Sequence, residues 1–554
     1  MDATDRVREM TETSTETGSN YILDALEREG ISTLFGLVGE GNAHLVDRTN
    51  DHALQFTYAR HEQAAVTMAD AYARMTGTVG VCTLTHGPGL TNGATGIAAA
   101  DRDNVPLVVL VGDTGFAGRE TSLQYLDHQS FTSPISAYQT RIETSETVPE
   151  AIRRAFGEAR TERGPAVVEI PGDIQSAPAP ETLYRPKPTP SQRPRPDQTT
   201  VEEAVSVLED ADAPVVLAGG GAMTADAAEP IVELAERIGA PIAVTYFAKG
   251  LFPEDHPLYS GIAGTFMSPA NDELLWDADA VVTVGAQLSG KVTRYGELYA
   301  DAAVVQIDID PSAVGRYRDP TVALLGDASA AIEALVDRVS VDSNRVTRVA
   351  TAIEEAENAF EFEPASTDEY VDPRVATREI AARVPDDTVV TIDSGNNTGF
   401  PAAFHPVGDG GRMLVNGNFG TMGFALPAAL GAQVGTPDQT VLCYAGDGSL
   451  LQVVQEIETA VRLELPIIVV VLNDESYGII RHRQRLEYGR ETAADYSSSD
   501  FATVARGFGA RGETIRSIDD LDILEEYCES EPSVPLVLDV RTNPDIARPG
   551  FPPY

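Results

Sequence analysis

The sequence is short of lysine. Only Lys187, Lys249 and Lys291 occur among 554 residues. The 40 basic side chains face 85 acidic ones, for a formal net charge of −45. A surface this acidic repels phosphate, which argues against nucleic-acid or anionic-membrane partners. Acid-coated, lysine-poor chains suit concentrated salt, where screening removes self-repulsion. The composition therefore predicts a halophilic source, with an ordinary acidic cytosolic enzyme as the alternative. Cysteine is also scarce. Cys82, Cys443 and Cys528 are odd in number and far apart, and no CxxC occurs. This argues against a disulfide framework or a structural zinc site. Long apolar runs are missing too. Stretches such as Leu465–Leu472 (LPIIVVVL) fall well short of the roughly 20 residues of a membrane span. The first residues are acidic and polar with no apolar core, so no secretory signal is read there and the expected compartment is the cytosol. Disorder of the whole chain is excluded by an ordinary composition, 42% hydrophobic and 23% charged.

What is present is a repeated alternation of apolar strand-like runs and helical patterns. At about 150 residues per domain the length suggests three to four domains. Residues 1–16 read as a solvated acidic tail. The block 17–178 carries strand-like runs at Thr33–Val38, Val79–Thr85, Pro106–Gly112 and Ala166–Ile170. Strands alternating with helices predict parallel α/β layers. Residues 179–198 are rich in proline and turn formers and read as a linker. A second block, 199–340, runs from Ala213–Leu217 into Gly219-Gly220-Gly221, with later strands at Ala280–Val284 and Val304–Ile309. A polar, acidic stretch at 341–372 reads as another linker. A third block, 373–546, has strands at Thr388–Ile392, Thr440–Tyr444, Ile467–Leu472 and Pro535–Val540. Residues 547–554 form a C-terminal tail. Distant kinship of the first and third blocks is left open by the sequence.

The strongest chemical signal lies in the third block. The strand Thr440–Tyr444 runs into Ala445-Gly446-Asp447-Gly448-Ser449, and the strand Ile467–Leu472 into Asn473-Asp474-Glu475-Ser476. Glycines let the backbone approach a phosphate closely. Asp447 and Asp474 fall at strand carboxyl ends, where open α/β sheets bind ligands. Two oxygen ligands there can hold Mg²⁺ against a diphosphate. A lone GDG would be an ordinary turn; paired with Asn-Asp after a second apolar strand it points to a site.

This pattern resembles the thiamine diphosphate signature, and the resemblance extends over about residues 20–545. The chain is similar to acetolactate synthases, benzoylformate and pyruvate decarboxylases and their relatives. The resemblance implies three doubly wound α/β domains: pyrimidine-binding, central Rossmann-like and diphosphate-binding. It implies Mg²⁺ on Asp447, Asp474 and the Ser476 carbonyl, with Asp at 474 where the family has Asn. Gly417-Asn418-Phe419-Gly420-Thr421-Met422-Gly423-Phe424 is close to the acetolactate synthase pattern, with Met422 at the position that wedges the cofactor into its bent shape. Asn396 and Asn397, in Ser394-Gly395-Asn396-Asn397, match a second diphosphate loop. Pro88, Gly420, Gly446, Gly448, Ser449 and Tyr477 complete the implied cofactor contacts.

In the first block, Tyr58-Ala59-Arg60-His61-Glu62 opens a helix. Alone, Glu62 would read as a partner of the helix dipole. By resemblance it is the carboxylate that bonds to the cofactor's aminopyrimidine and promotes its imino tautomer. Thr85-His86-Gly87-Pro88-Gly89-Leu90-Thr91-Asn92 matches the family's Gly-Pro-Gly-x-Thr-Asn loop. His86 replaces the usual hydroxyl residue, and Glu40 stands where pyruvate decarboxylases carry a catalytic acid; each is equally readable as a loop cap or a turn acid. Gln124 resembles part of a family segment, although packing explains it as well. In the middle block Phe247–Gly250, Gly261–Thr265 and Ile307–Pro311 align with FAD-holding segments. The family's arginine-rich stretch is here Gly285-Ala286-Gln287-Leu288-Ser289-Gly290-Lys291, so FAD is left open and a spacer is preferred. Arg483 occupies the position of a substrate-selecting tryptophan. Arg481, Arg483 and Arg485 either read an anionic substrate or make surface ion pairs.

The expected activity is decarboxylation of a 2-oxo acid, pyruvate in the first instance, followed by carboligation to acetolactate. The alternatives are a simple decarboxylase that releases an aldehyde, which Glu40 and His86 favour, and an FAD-dependent pyruvate oxidase type. The resemblance also implies a homodimer or homotetramer and leaves room for a small regulatory subunit.

Overall fold

The computed structural model describes residues 16–117, 119–188, 193–267, 269–358 and 362–551. Nearly all of the acidic tail expected over 1–16 lies outside the described residues. So do 189–192 of the expected linker 179–198, 359–361 of the linker 341–372, and 552–554 of the tail 547–554.

The described strands form three six-stranded sheets. The first contains β1 (Thr33–Gly36), β2 (Gln55–Tyr58), β3 (Gly80–Leu84), β4 (Leu107–Asp113), β5 (Tyr138–Arg141) and β6 (Pro165–Pro171). The second contains β7 (Pro214–Ala218), β8 (Ile242–Val244), β9 (Tyr259–Ile262), β10 (Ala280–Val284), β11 (Ala303–Asp308) and β12 (Val322–Leu325). The third contains β13 (Val389–Ile392), β14 (Arg412–Val415), β15 (Val441–Gly446), β16 (Ile468–Asn473), β17 (Arg511–Ile515) and β18 (Leu536–Arg541). Their pairings are parallel throughout, for example β3 with β4 and β15 with β16. The chain is thus α/β, as its alternating runs predict. Strands such as β4 and β16 are buried along their whole length. They read as continuous Val/Ile/Leu runs because helices cover both faces of a parallel sheet.

Strand order gives the first and third blocks one topology. The first sheet runs β2-β1-β3-β4-β6-β5 and the third β14-β13-β15-β16-β18-β17, the same order twelve strands later. The middle sheet runs β12-β11-β10-β7-β8-β9, with its reversal between β7 and β10. Here the Gly219 N–H donates to the Val284 carbonyl (2.9 Å) and the Gly221 N–H to the Gly285 carbonyl (3.0 Å). A Cβ at Gly219 would lie 2.3 Å from that Gly285 carbonyl. Bare backbones therefore meet at the switch point, which is why glycines stand there.

The chain divides into two compact units, the described parts of 1–189, 418–437 and 453–463, and of 190–417, 438–452 and 464–554. In the first, the apolar helix Ala425–Gly435 packs on helix Glu62–Thr76. A Cβ at Gly431 would lie 2.1 Å from the Met68 carbonyl. Residues 343–358, expected within a linker, form a helix. The acidic composition hides a stripe at i, i+3, i+4, i+7. Val346, Val349 and Ala350 pack on the middle core, and Ile353 is buried. Periodicity prevails over polarity there.

Candidate active site

In the second unit, β15 and β16 are neighbours, and the turns leaving their carboxyl ends carry Asp447 and Asp474. Asp447 is buried. Burial, and after it the charge of Asp474, pushes its carboxyl up to about 8. Burial likewise raises Asp474 to about 6, opposed by hydrogen bonds from Ser476 and Asn396. Two carboxylates with raised pKa at the ends of neighbouring strands are suited to a hard divalent cation.

The surroundings are rigid. The Ser476 N–H and hydroxyl donate to Asp474 Oδ1 at 3.2 and 3.1 Å. Between them Glu475 adopts φ +56°, a conformation that non-glycine residues seldom adopt. It is held by Arg541, whose Nη1 donates to Glu475 Oε1 (2.9 Å). The Tyr477 N–H donates to the Ala494 carbonyl (2.8 Å) and the Tyr496 N–H to the Glu475 carbonyl (3.2 Å). A Cβ at Gly448 would lie 2.6 Å from the Tyr496 hydroxyl and 2.8 Å from the Tyr477 ring. Only glycine fits. The Tyr496 hydroxyl is buried, makes no hydrogen bond of normal geometry, and lies close enough to Asp447 to lower its pKa. That hydroxyl, facing Asp447, sits beside the glycine cradle. Ser449 Oγ closes the Gly446 turn, accepting from its N–H (3.1 Å) and donating to its carbonyl (3.0 Å).

Asn396 and Asn397 lie at the β13 turn as expected, but their side chains brace the protein. Asn396 Nδ2 donates to the Ile546 carbonyl (3.0 Å), and its Oδ1 accepts from the Arg548 N–H (2.9 Å). Asn397 Nδ2 donates to the Asp393 carbonyl (3.1 Å). The arginines beyond Tyr477 are paired with acids, Arg483 and Arg485 on the surface and Arg481 half-buried. Arg483 meets Glu487 (3.0 Å), Arg481 meets Glu491 (3.2 Å), and Arg485 meets Asp545 (2.8 Å) and Glu491. Their ion-pair reading is the one the geometry supports.

In the first unit Glu62 opens helix Glu62–Thr76, capped by the His61 ring, which accepts from the Gln63 N–H. Its Oε2 accepts from Asn92 Nδ2 (3.0 Å), and a Cβ at Gly89 would come within 3.4 Å of Oε1. The motif residues Gly89 and Asn92 thus converge on this carboxylate. Glu456, which the sequence reading passed over, holds the turn before it. Both Glu456 oxygens accept from the Arg60 N–H at 3.1 Å, and the group is fully buried. A glutamate among apolar helix positions was the available signal. His86 is buried and its pKa is lowered by that burial, opposed by Asp113 and Glu40. A Cβ at Gly41 would lie 2.3 Å from His86 Nδ1. Glu40 itself is exposed. In the same unit lie Gly420, at φ +72°, and the half-buried Met422. The Asn418 N–H donates to Asp103 Oδ1 (3.2 Å) and fastens their loop.

The N-terminal TPP-binding domain of thiamine pyrophosphate enzymes matches residues 16–138, the central domain 201–335 and the C-terminal TPP-binding domain 393–540. A probable acetolactate synthase large subunit of Methanocaldococcus jannaschii is 31% identical over 97% of this chain and 93% of its own length. The acetolactate synthase isozyme 3 large subunit of Escherichia coli is 32% identical over 91% of each. The acetolactate synthase large subunit of Corynebacterium glutamicum is 31% identical over 89% of this chain and 81% of its own.

Proposed function

The chain belongs to the thiamine pyrophosphate enzymes, among the acetolactate synthase large subunits, and on that premise we propose that it decarboxylates pyruvate and joins the remaining two-carbon unit to a second 2-oxo acid. Thiamine diphosphate, when bound, would supply carbanion-stabilising chemistry that no side chain can provide. Asp447, Asp474 and the Ser476 carbonyl would hold Mg²⁺, with the bare backbones of Gly446 and Gly448 admitting the diphosphate and Ser449 fixing their turn. Gly420 and Met422 would support the cofactor's bend, and Pro88 and Tyr477 are proposed as further cofactor contacts. With Oε2 of Glu62 held by Asn92 Nδ2, Oε1 would be the atom left to exchange a proton with the aminopyrimidine. A carboxylate can share that proton reversibly, whereas an amide cannot.

The observation that carries this reading is the pair Asp447 and Asp474, each raised by burial, on the turns that the family uses for its metal. A second reading, aldehyde release, draws on His86 lying buried within the field of Glu40, an arrangement suited to protonating a carbanion. We assign the middle domain a spacer role, because glycine backbones fill its switch point and residues 285–291 lack the arginine of flavin-binding relatives. The working unit is proposed as a cytosolic homodimer or homotetramer. A small regulatory subunit is a proposed partner, since relatives are named large subunits.

The deciding assay supplies pyruvate, thiamine diphosphate and Mg²⁺ in molar salt and follows pyruvate loss and product. Acetolactate, seen as acetoin after acid treatment, supports carboligation. Aldehyde alone selects the second reading. Cofactor binding without pyruvate consumption rules out pyruvate as donor.

A further inference from the structure

Beneath the Thr85–Asn92 loop lies a buried ionic cluster that the proposed chemistry does not use. Asp113, at the end of β4, and Glu169, in β6, are both buried, as is His128. Two guanidinium groups bind the carboxylates. Arg119 reaches Asp113 Oδ2 (3.1 Å) and Glu169 Oε1 (3.0 Å). Arg141 reaches the same two atoms at 3.2 and 2.5 Å. Asp113, His128 and Glu169 have the ligand types of a cation site, but the arginines already neutralise both charges. The cluster has another use.

His128 Nε2 lies 3.1 Å from the Gly87 N–H. A backbone N–H can only donate, so this ring nitrogen must be the unprotonated one. A neutral imidazole then carries its proton on Nδ1. That atom faces Glu169 Oε2 at 3.5 Å, and neither atom makes a hydrogen bond although both are buried. The glycine it holds is unusual. Gly87 has φ +56° and ψ −110°, and a Cβ there would lie 2.3 Å from the Gln124 carbonyl. One segment, 124–128, therefore clamps Gly87 from two sides. Gly87 joins His86 to Pro88, where the helix that presents Gly89 and Asn92 to Glu62 begins. This also gives Gln124 a use: its backbone serves the site.

We propose that His128 is a positioning residue for the His86–Pro88 loop, holding the Gly87 N–H through a ring tautomer oriented by Glu169. Removing the acceptor lets the loop relax from its positive φ. His86 and the helix start then shift against Glu62, and a displacement of about 1 Å at a reacting group can lower turnover about 100-fold.

The proposal rests on the functional reading above for its activity readout, so tautomer, cofactor binding and turnover are measured separately. The holoenzyme labelled with ¹⁵N-histidine should show one imidazole with Nδ1 protonated and Nε2 bare, and that signal should vanish in His128→Gln. His128→Leu has no acceptor, whereas the glutamine amide oxygen can reach the place of Nε2. His128→Leu should bind thiamine diphosphate with Mg²⁺, keep KM near wild type and lose about 100-fold in kcat. His128→Gln should recover most of that loss. A proton on Nε2, or equal kcat in the two variants, overturns the proposal. Should His128→Leu fail to fold, His128→Asn, too short to reach Gly87, takes its place against His128→Gln with the same two outcomes. Failure of the wild-type protein to bind thiamine diphosphate would overturn the functional reading instead, and the tautomer measurement would still decide the hydrogen bond.

Discussion

Asp447 and Asp474 leave adjacent parallel strands, and burial, with the charge of Asp474 after it, holds the Asp447 carboxyl up, to about 8. The pair titrates as a unit. Both groups are raised above the ordinary 3.8, so the folded apoprotein takes up protons that the unfolded chain releases. That contribution to stability is full below about pH 4 and is lost as pH rises through about 6 and then about 8. Mg²⁺ should offset the loss. The rise in melting temperature on adding saturating Mg²⁺ should be larger at pH 8 than at pH 5. An equal rise at both would remove this pair as the metal site.

Glu62→Gln should keep the Asn92 contact and bind the cofactor within a few-fold of wild type. Its turnover should fall by about 100-fold or more, the usual range for loss of an acid–base group. Calorimetry and steady-state kinetics on one preparation separate the two. Unchanged turnover would refute the role given to Glu62.

Gly448→Ala places a methyl 2.6 Å from the Tyr496 hydroxyl and 2.8 Å from the Tyr477 ring. Both rings must move from the cradle. We expect folded protein, destabilised by about 1–3 kcal/mol, with cofactor affinity reduced at least tenfold. Gly507→Ala, where a Cβ meets nothing within 4 Å, is the control that should leave affinity unaltered.

The net charge of −45 should make the protein salt-dependent. Activity and melting temperature should both climb from dilute buffer to molar KCl, as screening removes self-repulsion. A flat salt profile would favour a merely acidic enzyme.

The spacer assignment predicts a colourless preparation. Flavin absorbance in freshly purified protein, released on denaturation, would restore the middle sheet as a cofactor domain.

The buried strands were legible because each is an unbroken run of Val, Ile and Leu ending in a turn. β4, β15 and β16 begin and end within two residues of their sequence readings. Edge strands such as β2, β5 and β17 were not, since Gln, Thr, Arg and Glu interrupt them and leave no apolar run. Motif residues were legible where chemistry restricts residue type, as at Gly446-Asp447-Gly448 and Glu62. The supports were not. Tyr496, Glu456 and His128 act through long-range contacts, and nothing near them in the chain announces the partner. Helix 343–358 shows the converse error, composition read where spacing mattered.

Gly431 pressed on the Met68 carbonyl bears on how such a chain can be taken apart. Residues 425–435 follow β14 in the chain, yet their buried face is completed by a helix more than 340 positions earlier. A cloned segment starting at residue 373 would carry that face uncovered, and a chimera that borrowed the segment from a relative would have to bring the matching Glu62–Thr76 surface with it. Any exchange that separates these two helices leaves both of their packed faces bare.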